Sequence, residues 1–107
     1  MKKLKMYCLC LHNKHFQTVK KLGYIPVGLG KGFFSPEWLR DNEGENISNK
    51  NEYYGEYTFH YWFWKNRIEQ IENNTWIGFC AYRRFWLNKS TIISKPDKND
   101  FLKNIPE

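Results

Sequence analysis

The sequence predicts an α/β fold built on a parallel sheet, and three observations carry that reading. Two near-continuous apolar runs, residues 4–11 (LKMYCLCL) and 76–82 (WIGFCAY), lack the alternation of half-exposed strands and match strands covered on both faces. A strongly aromatic stretch between them carries helical spacing. A further short strand pattern at residues 24–27 completes the order strand, crossover, strand, helix, strand, the front half of an α/β sandwich.

Taken in order, the first strand ends at His12, Asn13, Lys14 and His15. A short helix or turn over 16–22 returns the chain to the strand at 24–27, where Pro26 marks an edge position or a strand end. Gly28, Gly30 and Gly32 follow as G-x-G-x-G, which is not the G-x-G-x-x-G of dinucleotide sites; they suit a turn better than a phosphate cradle. Residues 33–39, with Pro36 and two aromatic anchors, form a loop or short helix under the core.

A polar loop holding Asp41, Glu43, Gly44 and Glu45 leads into the central helix. Ser48, Asn49 and Asn51 are cap candidates, and Glu52 places a negative charge in the first turn, where the helix dipole favours it. Tyr54, Tyr57, Tyr61, Trp64, Ile68 and Ile71 then recur at alternating spacings of three and four, the core-facing edge of one helix. Phe59, Trp62 and Phe63 point away from that stripe, so the helix is expected to be long, aromatic and buried on both sides. Glu72, Asn73 and Asn74 break the pattern, and the strand at 76–82, apolar throughout, is expected to be central, with Arg83 and Arg84 at its carboxyl end. Beyond residue 87 the chain thins to polar residues; Ile92 and Ile93 could pair briefly, and 95–107 carry no element.

A length of 107 residues fits one domain, 1–107, with 88–107 as a poorly defined tail. Two or three strands cannot cover both faces of so aromatic a helix, so further chain or an oligomeric partner is expected. Lysine and arginine outnumber aspartate and glutamate by 17 to 11, a net +6 that suits an anionic partner, whether nucleic acid, a membrane surface or a phosphorylated ligand; solubility alone is the plainer reading. The basic residues are scattered and no nucleic-acid motif occurs, which argues against a nucleic-acid partner. Cys8, Cys10 and Cys80 lack metal spacing; Cys8 and Cys10 share one strand face, and three buried thiols in a reducing cytoplasm are expected. Neither a signal peptide nor a transmembrane run is expected.

In an open α/β sheet, ligands bind beyond the carboxyl ends of the strands, where the segments 12–14, 28–30 and 82–84 converge. His12, Gly28, Tyr82, Arg83 and Arg84 are therefore candidate binding residues. Arginine's planar fork suits a pyrophosphate, and adjacent strand residues point opposite ways, so one of Arg83 and Arg84 faces the site. Solvated or ion-paired arginines are the structural alternative. Glu56 lies one helical turn before His60 on an aromatic helix, so it is either functional or paired with His60 or Arg67. Asp41, Glu43 and Glu45 could offer oxygen to Mg²⁺ or Mn²⁺, or form a solvated acidic loop. No serine or cysteine nucleophile with a base partner is identifiable, which removes hydrolases of that kind.

These residues together resemble a known family. The segments GENIS (44–48), GEYT (55–58), YWFWKN (61–66) and GFCAYRRFW (78–86) are similar, without gaps, to the pattern of DUF4422, a glycosyltransferase-like domain of bacterial polysaccharide and capsule loci. The strand-end L-H-N-K at 11–14 follows the family more loosely. Ala81 stands where the family has histidine before Y-R-R, and Gly55 where it has cysteine. The resemblance covers residues 4–86 and implies the amino-terminal half of a longer domain with a partial Rossmann-like, GT-A-like sheet. It implies transfer of a sugar from a nucleotide-sugar donor to a polysaccharide or lipid-linked acceptor, in the cytoplasm or at the inner membrane face with peripheral membrane association. Under it, Arg83 or Arg84 contacts the phosphates, Glu56 and Asp41 are the candidate catalytic carboxylates, and Tyr82, His12, Gly28 and His60 complete the site. A divalent metal is compatible but no D-x-D occurs; Asp41-Asn42-Glu43 is the nearest carboxylate pair. A truncated, non-catalytic module that stacks sugars or bases on Trp62 and Trp86 is the rival reading.

Overall fold

A computed structural model describes residues 3–88 and 98–103. The apolar run at the amino terminus forms β1 (Lys3–Cys10), followed by a single 3-10 turn (Asn13–His15) and α1 (Phe16–Lys21). Next come β2 (Ile25–Gly28), a two-residue β3 (Leu39–Arg40), α2 (Asn51–Tyr54), α3 (Tyr57–Asn66) and β4 (Thr75–Ala81). All four strands are parallel, in the order β3-β2-β1-β4. The fold is the expected α/β type. From β1 the chain winds outward through β2 and β3, then crosses back to place β4 on the other side of β1. The strand order therefore reverses between β1 and β4, and a crevice opens there at the carboxyl ends of the strands.

The two faces of β1 feed two cores. Met6, Cys8 and Cys10 pack with Val19 of α1, with Leu22 just after it, and with Tyr24, Trp38 and Cys80. Tyr7 and Leu9 pack on the other face with Val27, Phe59, Trp62 and Phe63. Covered faces explain the apolar runs, but they do not make β4 central. It is an outer strand of the described sheet, bonded along β1 alone, and it reads as apolar because Cys80 enters one core while Ile77 and Phe79 pack against the other. Pro26 fits the edge expectation locally, since β3 pairs only with Val27 and Gly28.

The single long helix is corrected in two respects. Gly55, at φ +56° and ψ −130°, breaks it into α2 and α3, and the second piece ends at Asn66. The faces are also reversed. Thr58, Phe59, Trp62 and Phe63 are the buried positions, whereas Tyr54, Tyr57, Trp64 and Ile68 are exposed, Tyr57 by 70%. The outward stripe is rich in tyrosine, whose hydroxyl keeps one end in water, while the inward stripe carries phenylalanines that lose nothing polar on burial. Phe59 and Phe63 sit 5.7 and 5.1 Å from the Tyr7 ring and close the layer. The cap candidates are used otherwise: no side chain caps α2, and Asn51 donates instead to the Gly55 carbonyl and to Thr58 Oγ1.

The three cysteines are free and buried. Cys8 and Cys80 are register partners on adjacent strands. The Cys10 hydrogen bond lowers the Cys8 thiol, but the hydrogen bond with Cys80 and burial outweigh it, leaving Cys8 pushed up to about 12. Its interaction with Cys8, and then burial, push the Cys10 thiol up further. Among the described residues, no helix is long and apolar enough to cross a membrane. Of the tail, Lys98–Asp100 form a 3-10 turn and Phe101 bridges to Leu87; the possible pairing at 92–93 lies outside the described residues.

Candidate functional site

At the carboxyl ends of β1 and β4 lies a cavity of about 630 Å³. Its walls include His12, Lys14 and His15 from the turn after β1, and Tyr82 and Arg83 from the turn after β4. The far wall is the break between α2 and α3, where Glu52, Gly55 and Glu56 face the same space. The site is thus bipolar, with cations on the strand side and two carboxylates on the helix side. The break at Gly55 positions Glu56: an uninterrupted helix would carry that residue along its flank, whereas here it is the first residue before α3 at the mouth of the crevice.

The strand-side wall is built by ring stacking and a strained turn. His15 lies on Tyr82 with centroids 3.6 Å apart and planes 20° from parallel. Partial burial, then the neighbouring charges of Lys14, His12 and Arg83, hold the His15 imidazole below the usual histidine range. Tyr82 N–H donates to the Leu9 carbonyl at 3.0 Å, and Arg84 N–H to the Ala81 carbonyl at 2.8 Å, closing a tight turn. Within it Arg83 adopts φ +81°, a left-handed conformation that side chains other than glycine and asparagine rarely take. Such outliers gather at functional sites because surrounding structure must hold them in place.

Arg83 and Arg84 lie in the turn after β4, beyond any strand alternation, and line different cavities. Arg83 lines the large cavity, and Arg84 lines a second cavity of about 310 Å³ with Phe79, Phe85 and Trp86. Glu56 lines both. Among the described residues neither His60 nor Arg67 pairs with the Glu56 carboxylate. His60 meets the edge of Phe79 at 4.7 Å, and the Arg67 guanidinium lies over Trp62. His60 is not among the residues lining either cavity.

Asp41 stands elsewhere. It is fully buried, and its carboxylate accepts from Ser48 Oγ at 2.7 Å, Thr58 Oγ1 at 2.6 Å and the Gly30 N–H at 3.3 Å. Each oxygen is thus engaged inside the protein, so Asp41 ties the loop before α2 to α3 and to the turn after β2 instead of facing a ligand. Gly28 is likewise enclosed. Its carbonyl accepts from Arg40 Nε at 2.8 Å, and a Cβ added there would meet the Phe34 ring at 2.6 Å. Arg40 also donates to the Gly30 carbonyl, so this glycine segment is bonded to its own chain; Leu29 is its contribution to the cavity.

The carboxylates proposed for a metal do not converge. Asp41 is turned inward, whereas Glu45 accepts from Tyr61 at 2.7 Å and pairs with Lys65 at 3.6 Å. The Tyr61 hydrogen bond, helped by Lys65, holds the Glu45 carboxyl below the usual carboxylate range. Among the described residues, no three histidine, cysteine, aspartate or glutamate side chains are arranged to hold a metal ion, so the residues present do not fit a bound divalent cation.

Sequence reasoning passed over His15, Glu52 and Asn51 as site residues. The His12-x-x-His15 spacing directly after a strand was the available signal for His15, since a single turn brings such residues to one side. A family model described as a domain of unknown function (DUF4422) matches residues 5–105. No curated protein and no solved structure matches the chain.

Proposed function

The chain belongs to the DUF4422 family, and from that premise we propose that its cleft binds the diphosphate of a nucleotide sugar and supports sugar transfer. The observation that carries this reading is the bipolar crevice at the strand-order reversal, with Arg83, Lys14 and His12 facing Glu56 across one cavity. Diphosphate on the strand side would meet a guanidinium fork and an ammonium, which stabilise the charge that grows as a nucleoside diphosphate departs. An acceptor hydroxyl attacks the anomeric carbon, the bond from that carbon to the diphosphate oxygen breaks, and the oxygen keeps the electron pair. The hydroxyl proton passes to the Glu56 carboxylate, a base on the opposite wall that lines both cavities. A polysaccharide or lipid-linked acceptor, and work at the cytoplasmic membrane face, belong to the same proposal.

The rival reading, a non-catalytic stacking module, needs Trp62 and Trp86 on one open surface. It is disfavoured because the Trp62 indole is buried against Phe59 and donates to the Glu43 carbonyl. Calorimetry across a panel of nucleotide sugars tests the proposal. Binding that Arg83→Ala weakens about tenfold to a hundredfold and Glu56→Gln preserves, with transfer reduced at least about a hundredfold in Glu56→Gln, is the expected pattern. No heat from any donor would end it.

A further inference from the structure

The smaller cavity carries an observation that donor binding leaves unused. Trp86 is 59% exposed, yet its only polar atom points inward, with Nε1 donating to the Phe79 carbonyl at 2.7 Å. An exposed tryptophan ordinarily turns that N–H to water; here the ring is held and presents apolar surface alone. The backbone beneath is fixed as well. The Trp86 carbonyl accepts from Leu102 N–H at 2.8 Å, and the neighbouring Phe85 stacks on Phe101 at 4.6 Å. Trp86 is therefore a rigid apolar plate at the rim of a cavity whose charged residues are Arg84 and Glu56.

We infer that this cavity is the subsite for a saccharide acceptor, with one sugar ring lying on the Trp86 indole; the inference rests on the nucleotide-sugar reading of the larger cavity. A pyranose has a face of C–H groups and a rim of hydroxyls. The C–H face suits the electron-rich face of an indole. The rim needs both an acceptor and a donor of hydrogen bonds, which Glu56 and Arg84 supply. A few polar groups around an apolar floor are the usual composition of a small-ligand site. The volume of about 310 Å³ is about half that of the neighbouring cavity, suited to one ring and not to a nucleotide. Position supports the same assignment. Glu56 borders both cavities, so one carboxylate is shared between the donor cavity and a ring on Trp86. A rigid plate also loses little side-chain entropy on binding.

The test uses the intact chain, uniformly labelled with ¹⁵N, and follows the indole N–H resonances during titration with methyl glucoside, methyl galactoside and methyl glucuronide. Trp86→Phe identifies the Trp86 resonance. UDP serves as a separate probe of the larger cavity. At least one glycoside should shift the Trp86 resonance. Trp86→Ala should weaken that glycoside about tenfold or more while changing UDP affinity less than about twofold, and Trp86→Phe, which keeps a ring, should lose far less. The phenylalanine variant also guards against a folding artefact, since its circular dichroism must match the parent's. If UDP binds and no glycoside moves the Trp86 resonance, or if uridine or UDP moves it instead, the acceptor assignment is wrong while the donor reading stands. If neither UDP nor any nucleotide sugar binds, the donor reading falls and takes this inference with it.

Discussion

Under the proposed donor binding, Arg83 couples binding to backbone strain, and replacing it with glycine separates the two. At φ +81° it occupies the third position of the turn that joins the Ala81 carbonyl to the Arg84 N–H. A positive φ there calls for glycine or asparagine, and a side chain costs about 1–2 kcal/mol. Glycine removes that cost but gives up about 0.5–1 kcal/mol through the added freedom of its unfolded backbone. The net expectation is a gain of about 0–1.5 kcal/mol, or a melting temperature equal to the parent's or higher by up to about 12 °C. Donor affinity should move the other way. A hydrogen bond to a charged group contributes about 1.5–3 kcal/mol, so losing the guanidinium weakens nucleotide-sugar binding about tenfold to a hundredfold. Arg83→Ala keeps the strain and loses the charge, so it should bind as poorly as the glycine variant without gaining stability. Thermal unfolding by circular dichroism and titration calorimetry measure both quantities on the same samples. A glycine variant less stable than the parent, or one that binds donor as tightly, would refute the claim that strain here is held for binding.

Asp41→Ala should leave the Ser48 hydroxyl and the Gly30 N–H without their buried acceptor, at about 1–3 kcal/mol each, while the Thr58 hydroxyl keeps the Gly55 carbonyl at 3.1 Å, so urea unfolding should show a loss of at least about 2 kcal/mol. A stable Asp41→Ala variant that had lost only transfer activity would restore a catalytic role for this residue. His15 sits below its ordinary value in the free cleft, and a diphosphate beside it would raise that value. Binding then takes up a proton, so affinity should tighten as pH falls from about 8 to about 6, and His15→Gln should flatten that dependence. An unchanged slope in His15→Gln would refute it.

The strands at 4–11 and 76–82 were legible because burial on both faces writes itself locally as an unbroken apolar run. The placement of Arg83 at a strand end followed from the same pattern. The helix was legible as a helix, but not its inward face. An almost wholly aromatic segment satisfies more than one stripe at helical spacing, and the choice fell to Phe59 and Phe63 against Tyr7 and Phe79. The two-residue β3 at Leu39–Arg40 left no pattern to read, since two residues cannot show alternation. Asp41 looked like a ligand because an acidic loop residue usually faces water, and only its three partners, 7 to 17 residues away along the chain, turn it inward.

Taken alone, the sequence determined an α/β sheet of parallel strands, a shared face for Cys8 and Cys10, basic groups at the strand ends and membership of the family. Those properties depend on local periodicity and on residue order, which a chain carries before it folds. The tertiary structure decided that β4 lies at an edge, that Gly55 sets Glu56 between two cavities, that Asp41 and Gly28 are internal, and that Trp86 turns its one polar atom inward. Each depends on which distant groups meet across the packed layers, and spacing along the chain does not encode that choice.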